Sequence, residues 1–187
     1  MAIKIYIDQG HNPEAPNAGA EANGLREQDL VFRIGILLAE RLRQNPEFEV
    51  MLSRPTAETQ LGTSNAGSLR VRVEQAIAFG ADLLLSLHTN ASVSPTPSGS
   101  EALVFQANSV AYDIAEDLLF QLNLATGLRN RGVVLRPGLY ILRRSPMPAV
   151  LVELGFISNP EDAALMRDRP DLFADGLYRG LLMYYNL

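Results

Sequence analysis

The chain has 187 residues, of which 47% are hydrophobic and 20% charged, and its formal net charge is −5; this composition allows one well-buried core and excludes a disordered chain. It contains no cluster of basic residues and no apolar run near the ~20 residues that span a bilayer, so neither nucleic acid nor a membrane is the expected partner. Cysteine is absent, which excludes disulfides and thiolate metal sites, so any metal ion must be bound by His, Asp or Glu.

The first half of the chain alternates strand-like and helix-like segments. Leu30, Ile34, Leu37 and Leu38 fall at positions i, i+4, i+7 and i+8, which is typical of one face of a helix. Short apolar runs bounded by polar loops predict strands, and Gly80 predicts a helix end. The predicted elements are strands over 3–7, 48–52 and 81–88, and helices over 27–44 and 69–79.

The second half continues this alternation after a Pro- and Ser-rich loop over 92–100. Ser158 or Asn159 precedes Pro160 and two acidic residues, a pattern that predicts the start of a helix. The predicted elements are strands over 101–105, 140–142 and 149–152, and helices over 110–122, from 160 and from 171 to the C-terminus. No repeat or long linker divides the chain, so we expect one α/β domain over residues 1–187.

The two histidines, His11 and His88, each follow directly on a predicted strand. Ligands of open α/β sheets collect at the carboxyl ends of strands, so these side chains are expected to meet in one site. Neutral imidazole binds zinc well, and catalytic zinc commonly has three protein ligands and a water molecule. A third ligand must then be a carboxylate, and the candidates near His11 are Glu14, Glu21 and Glu27. Glu27 is the attractive candidate because it starts a predicted helix, and such a firm position suits a metal ligand.

Each of these residues also has an ordinary structural interpretation. A histidine at the end of a strand is more often a hydrogen-bonded structural residue than a ligand. Glu27 at the start of a helix favourably interacts with the helix dipole whether or not it binds metal. Asp8 either forms a hydrogen bond that orients His11 or only ends its strand.

Glu153 interrupts the most apolar stretch of the chain, residues 149–157. A buried carboxylate is costly unless it is paired or functional, and burial raises its pKa toward the range of a general base. The alternative is an internal ion pair with Arg54, Arg143 or Arg144. Asn90 would share a strand face with His88 and could contact a substrate, or it is a turn residue.

Four segments in order along nearly the whole chain resemble a known family. They are Asp8-Gln9-Gly10-His11, Glu27, Ser86-Leu87-His88-Thr89-Asn90, and the block from Pro148 to Asn159, PAVLVELGFISN. Together with Arg54 and Arg72, they resemble the zinc-dependent N-acetylmuramoyl-L-alanine amidases, the cell-wall amidases found among autolysins, spore-related hydrolases and phage endolysins.

The resemblance implies a central mixed, mostly parallel sheet with helices on both faces, similar to zinc exopeptidases. It implies Zn²⁺ bound by His11, Glu27 and His88, with Glu153 as the catalytic carboxylate. The expected reaction is hydrolysis of the amide bond between N-acetylmuramic acid and L-alanine in bacterial peptidoglycan. Asn90, Arg54 and Asp8 are expected to contact the substrate or to support the ligands.

Peptidoglycan is therefore the expected partner, and we expect a monomer that acts at the cell wall, outside the cytoplasm. The segment 1–7 is too short and strand-like for a signal peptide, so a trimmed or mature domain, or a lysin released by a holin, is expected. Two alternatives remain: a zinc exopeptidase or deacylase on the same scaffold, and a non-catalytic peptidoglycan-binding module. The loop over 12–14 and Ile77 depart from the family pattern, and neither departure touches a proposed ligand. The loop between His11 and Glu27 is therefore expected to be shaped differently, which bears on substrate fit.

Overall fold

A computed structural model describes residues 2–187 of the chain. The strands are β1 (Ile3–Gln9), β2 (Glu21–Ala22), β3 (Leu25–Arg26), β4 (Phe48–Leu52), β5 (Leu83–Asn90), β6 (Ser100–Val104), β7 (Asn130–Leu135) and β8 (Ala149–Phe156). The helices are α1 (Glu27–Arg43), α2 (Asn65–Phe79), α3 (Val110–Thr126), α4 (Tyr140–Arg144), α5 (Pro160–Asp168) and α6 (Pro170–Tyr185).

The central sheet has six strands in the order β4-β1-β5-β8-β6-β7. The first four strands of this order are mutually parallel, β6 is antiparallel to β8, and β7 is parallel to β6. Helices α1, α3 and α6 pack together on one face, and α2 and α4 pack together on the other. This arrangement confirms the expected α/β class with a mixed, mostly parallel sheet covered on both faces.

The alternation of side chains along the strands divides the core into two clusters. Ile5, Ile7, Leu85 and Val152 belong to the cluster that includes residues of α1, α3 and α6. Tyr6, Leu84, Ala149 and Leu151 belong to a smaller cluster with residues of α2 and α4. Successive residues of a strand point to opposite faces, so each strand contributes to both clusters.

Strand register aligns side chains in rows on the face covered by α2 and α4. Tyr6, Leu84 and Ala149 form an inner row. Two residues further along each strand, Asp8 pairs with Ser86, Ser86 with Leu151, and Leu151 with Leu103. The next row pairs His88 with Glu153 and Glu153 with Glu101. The face therefore changes from apolar to charged as the parallel strands approach their carboxyl ends.

Helix termini agree with the capping signals in the sequence. The Asn159 side chain accepts hydrogen bonds from the backbone N–H groups of Glu161 and Asp162, and Pro160 begins α5, as predicted. Gly80 ends α2 with a φ of 70°, a left-handed conformation that favours glycine. The Ser64 side chain caps α2, which therefore begins four residues before the predicted start at residue 69.

Two further predictions were wrong, one of an element's type and one of a strand's end. Residues 140–142 are helical rather than extended, because the N–H of Arg143 donates to the carbonyl of Leu139 and closes a helical turn. Tertiary packing of Ile141 and Leu142 into the core overrides their strand propensity here. Strand β8 also continues beyond Glu153 to Phe156, which pairs with Asn90 past an irregularity in the register.

Two further strand pairings were not predicted. The hairpin of β2 and β3 turns at Asn23 and Gly24, both of which have positive φ. An Asn-Gly dipeptide is a strong hairpin signal, so this turn could have been found in the sequence. Strand β7 lies at the sheet edge and is half-exposed, so it lacks the apolar run that identifies a buried strand.

Candidate metal centre and active site

Three side chains that are distant in sequence converge at the carboxyl ends of β1 and β5. His11 Nε2 lies 3.2 Å from Glu27 Oε2, and His88 Nδ1 lies 3.0 Å from Glu27 Oε1. One candidate ligand atom from each residue lies within 4.8 Å of the other two. The structure thus brings both histidines together with Glu27. Glu14 and Glu21, the other two candidates, are both exposed.

Glycine at position 10 allows His88 to occupy its place. A Cβ atom on Gly10 would lie 2.6 Å from both Cε1 and Nε2 of the His88 ring. The ring therefore packs directly against the backbone of Gly10, and its Nδ1 faces Glu27. Any larger residue at position 10 would displace this ring.

A buried ion pair holds the backbone of His11. His11 has a φ of 64°, which is uncommon for a residue other than glycine. The Arg72 guanidinium donates to the carbonyl oxygens of His11 and Gln9 and pairs with the Asp8 carboxylate. Ser86 donates to the same carboxylate at 2.7 Å. Asp8 thus acts on His11 through Arg72, and the importance of Arg72 was not predicted.

The charge of Asp8 is stabilised although the residue is buried. Burial by itself raises the pKa of the Asp8 carboxyl, but the Arg72 charge and the Ser86 hydroxyl outweigh it and hold the pKa below its ordinary value. Asp8 and Arg72 are each 1% exposed, so both charges of the pair are removed from solvent.

Glu27 is fixed from two directions at the first position of α1. Its Oε1 accepts the backbone N–H of Thr89 and its Oε2 accepts that of Ala20, both at 2.9 Å. Burial raises the pKa of Glu27, but hydrogen bonds with His11 and His88 outweigh it and hold this pKa far below its ordinary value. Glu27 is therefore a rigid carboxylate at neutral pH.

The donor set fits a zinc ion. Two imidazoles and one carboxylate are a known ligand set of catalytic zinc, which leaves a coordination position for water or substrate. In the described part of the chain, Nδ1 of His11 is buried and has no hydrogen-bond partner. Buried polar atoms in folded proteins normally have a hydrogen-bond partner, so this unpaired nitrogen calls for an explanation, and a bound ion is one. Burial lowers the pKa of His88, but the hydrogen bond and negative charge of Glu27 outweigh it and hold this pKa above its ordinary value.

Glu153 lies beside this centre, in the same row of the sheet as His88. Burial raises the pKa of Glu153 to about 7 and outweighs the opposing effect of His88, and the negative charges of Glu27 and Glu101 act in the same direction as burial. Within residues 2–187 its buried Oε2 has no hydrogen-bond partner. The carboxyl group is thus available for proton transfer near neutral pH.

The arginines considered as partners of Glu153 lie elsewhere. Arg54 is buried near the start of α1, where its guanidinium donates to the carbonyl oxygens of Gln28 and Ala57. Arg143 and Arg144 are exposed at the end of α4. Arg54 therefore supports the segment next to Glu27, and the structure does not bring it together with the two histidines.

Asn90 forms a different contact from the one expected. Its Nδ2 donates to Oε1 of Glu101 at 2.9 Å, and Arg131 donates to the other oxygen of Glu101 at 3.2 Å. Glu101 is the strand partner of Glu153. Asn90 thus belongs to a polar network at the rim of the site, and Glu101 and Arg131 were not predicted.

Comparisons with known proteins agree with this geometry. Residues 5–183 match the sequence profile of a family described as N-acetylmuramoyl-L-alanine amidase. The chain is 34% identical to the N-acetylmuramoyl-L-alanine amidase LytC of Bacillus subtilis over 97% of its own length. It is 30% identical to the endolysin of Bacillus phage SPP1, covering 100% of the chain and 68% of the endolysin.

A solved structure has the same fold. The N-acetylmuramoyl-L-alanine amidase from Clostridium difficile 630 superposes with a TM-score of 0.88 at 29% identity, covering 99% of this chain and 97% of that one. The match to LytC covers 35% of LytC. This chain therefore corresponds to about a third of that longer relative.

Proposed function

The chain belongs to the N-acetylmuramoyl-L-alanine amidase family, and from this membership and the site we propose that it is a zinc-dependent peptidoglycan hydrolase. The bond cut is the amide between N-acetylmuramic acid and L-alanine. His11, Glu27 and His88 would hold the zinc ion, and Glu153 is the catalytic acid and base.

One observation carries this proposal. Two imidazoles and a carboxylate converge within 4.8 Å, and the carboxyl group of half-buried Glu153, whose Oε2 is buried without a hydrogen-bond partner, lies in register with one of the imidazoles. A metal-assisted hydrolase needs both parts: ligands that leave an open coordination position and a separate base. A purely structural histidine pair would not require a buried Glu153 beside it.

When bound, Zn²⁺ would polarise the amide carbonyl and lower the pKa of a water molecule. The remaining chemistry belongs to the chain. Glu153 accepts the proton of the attacking water at its carboxylate oxygen, and the resulting carboxylic acid returns a proton to the leaving amine of L-alanine. Without the metal ion, burial raises the pKa of Glu153 to about 7. A carboxyl group in such surroundings can both accept and return a proton near neutral pH, and the positive charge of a bound ion would favour the carboxylate form that accepts the first proton.

The residues around the ligands keep this geometry in place. Thr89 and Ala20 fix the Glu27 carboxylate through their backbone N–H groups. Arg72, anchored by Asp8, fixes the backbone that carries His11. Such support reduces the reorganisation that ligands need and is expected to strengthen metal affinity.

The proposed site of action is the cell wall. LytC and the SPP1 endolysin are named for activities of this kind, and we extend this to the present chain with peptidoglycan as its partner. None of the helices in residues 2–187 combines the length and the apolar character required to cross a membrane.

The experiment measures the release of stem peptides from purified peptidoglycan. It compares the untreated protein with the protein after treatment with a chelator and again after Zn²⁺ is returned. The proposal expects peptides with a free L-alanine amino terminus, loss of release on chelation and recovery with Zn²⁺. Cleavage of free peptides or acylated amines but not of peptidoglycan would favour an exopeptidase or deacylase. Binding to peptidoglycan without release would favour a non-catalytic module.

A further inference from the structure

A small pocket adjoins the metal-binding residues on the face of the sheet covered by α2 and α4. Its volume is about 130 Å³, which corresponds to roughly four water molecules at about 30 Å³ each. His11 and His88 form part of its wall. Most of the remaining lining is apolar and comes from α2, the start of α4 and β8: Leu69, Leu139, Tyr140, Ile141 and Leu151. Asn17 also borders the pocket, and its Nδ2 donates to the Ser68 hydroxyl.

The pocket is built into the packed structure. Leu151 and Ile141 are 6% and 3% exposed, so its deepest part is held by core residues. Leu151 precedes Glu153 by two positions on β8 and therefore lies one row below it on the same face. The floor of the pocket is thus fixed relative to the catalytic carboxyl group.

The pocket suits an uncharged group. Asp8 and Arg72 also border it, but they are paired with each other, so they leave no free charge for a ligand. Apolar walls without an unpaired charge bind alkyl groups and disfavour polar ones. The volume admits a group of a few carbon atoms and excludes a sugar ring or a continuing peptide chain.

We propose that this pocket is a specificity site for a small alkyl substituent next to the scissile amide. This inference rests on the proposed function, because the amide carbonyl must lie next to the metal-binding histidines that border the pocket. Two methyl groups of the substrate have this position. One is the side chain of L-alanine on the amine side, and the other belongs to the lactyl group on the acyl side.

The test varies both methyl groups and the pocket. Substrates are N-acetylmuramoyl-glycine, -L-alanine and -L-valine amides, and an L-alanine analogue whose lactyl group is replaced by glycolyl, which lacks the methyl. Leu69→Phe fills the pocket from its half-exposed rim. The matched control is Ile77→Phe, on the same helix but 49% exposed and outside the pocket.

The wild-type enzyme is expected to prefer the substrate with the methyl group by about tenfold in kcat/KM, as one carbon in an apolar pocket gives roughly 10- to 200-fold discrimination. Leu69→Phe should remove this preference, and Ile77→Phe should retain it. A loss of preference in the glycine–alanine pair assigns the pocket to L-alanine, and a loss in the glycolyl–lactyl pair assigns it to the lactyl group.

Two additions separate the possible failures. If Leu69→Phe does not fold, Leu69→Ala should instead improve relative use of L-valine by enlarging the pocket. Dissociation constants for the same pairs, measured by calorimetry in the Glu153→Gln background, should show the same methyl preference. The pocket assignment is overturned if the wild type cleaves all the substrates but neither kcat/KM nor Kd depends on the methyl groups. Failure to cleave any of them would count against the proposed function itself.

Discussion

The two faces of the central sheet differ in character although the same strands form both. Toward α1, α3 and α6, the strands present apolar side chains such as Ile7, Leu85 and Val152. Toward α2 and α4, the next residues along the same strands are Asp8, Ser86 and Glu153. Alternation along a strand therefore lets one face stabilise the domain while the other carries the proposed site.

This difference indicates how the molecule tolerates buried charge. A desolvated ion pair and an unpaired carboxyl group lie on one face, and neither favours folding as much as apolar packing would. The apolar face and its three helices supply the burial that stabilises the fold. Substitutions on the two faces should thus affect different quantities, which the following predictions test in order of expected effect.

The largest effect is expected at Glu153. Glu153→Gln removes the proton-transfer group while keeping its shape, so kcat should fall by about 10²- to 10⁴-fold. Zinc content should be retained because Glu153 is not a proposed ligand. The thermal midpoint should be retained because burying an amide costs less free energy than burying a carboxylate. Steady-state kinetics measure kcat and elemental analysis measures zinc content, with Glu161→Gln, at an exposed position of α5, as the control. A kcat near that of the wild type would remove the catalytic role of Glu153.

The next effect is expected at the buried ion pair. Asp8→Asn leaves the Arg72 guanidinium buried without its counter-charge, so the free energy of unfolding should fall by about 3–5 kcal/mol. Denaturant unfolding measures this loss. A change below about 1 kcal/mol would mean that Arg72 reaches solvent in the folded state and does not hold His11.

The same pair predicts a pH dependence with a definite sign. The folded-state pKa of Asp8 lies below its ordinary value, so its contribution is present above the unfolded-state pKa near 4 and is lost as the pH falls. The stability difference between wild type and Asp8→Asn should be full at pH 7 and should shrink below about pH 4. A difference that grows on acidification would contradict the assigned shift.

A substitution on the apolar face should affect stability alone. Leu85→Ala opens a cavity among α1-facing core residues and should lower the free energy of unfolding by about 2–5 kcal/mol. The kcat/KM of the folded fraction should stay within a few-fold of wild type, since Leu85 points away from the site. A large loss of kcat/KM with little loss of stability would break the separation of the two faces.

The smallest effect is expected at Ser86, which lies on the polar face but below the catalytic row. Ser86→Ala removes a hydrogen bond to the Asp8 carboxylate and should cost about 1.5–3 kcal/mol of stability. Activity at saturating zinc should change little. Loss of activity without loss of stability would instead assign Ser86 a direct role in the reaction.

The sequence allowed much of this to be predicted, for identifiable reasons. Strands β1, β5 and β8 are short apolar runs ending in polar residues, so their place in the centre of a parallel sheet could be recognised. His11 and His88 were expected to meet because parallel strands end at one edge of the sheet. Its place at the start of a predicted helix favoured Glu27 over Glu14 and Glu21, but the spacing left all three open, and the family resemblance was needed to choose Glu27.

Other features depend on tertiary contacts that no local pattern contains. Arg72 holds His11 across 61 positions of sequence, and Glu101 meets Asn90 and Glu153 only because β6 runs antiparallel to β8. The α4 segment has strand-like residues, but core packing makes it helical. Gly10 looks like an ordinary turn residue until its contact with the His88 ring is known.

The zinc content of the purified protein, measured by elemental analysis alongside His88→Ala, tests the central claim most directly. The proposed site predicts about one zinc ion per wild-type chain and a stoichiometry near zero for the variant, which loses one of three ligands. A wild-type chain that retains no zinc after exposure to Zn²⁺ and dialysis, or an equal zinc content in His88→Ala, would contradict a metal centre formed by His11, Glu27 and His88.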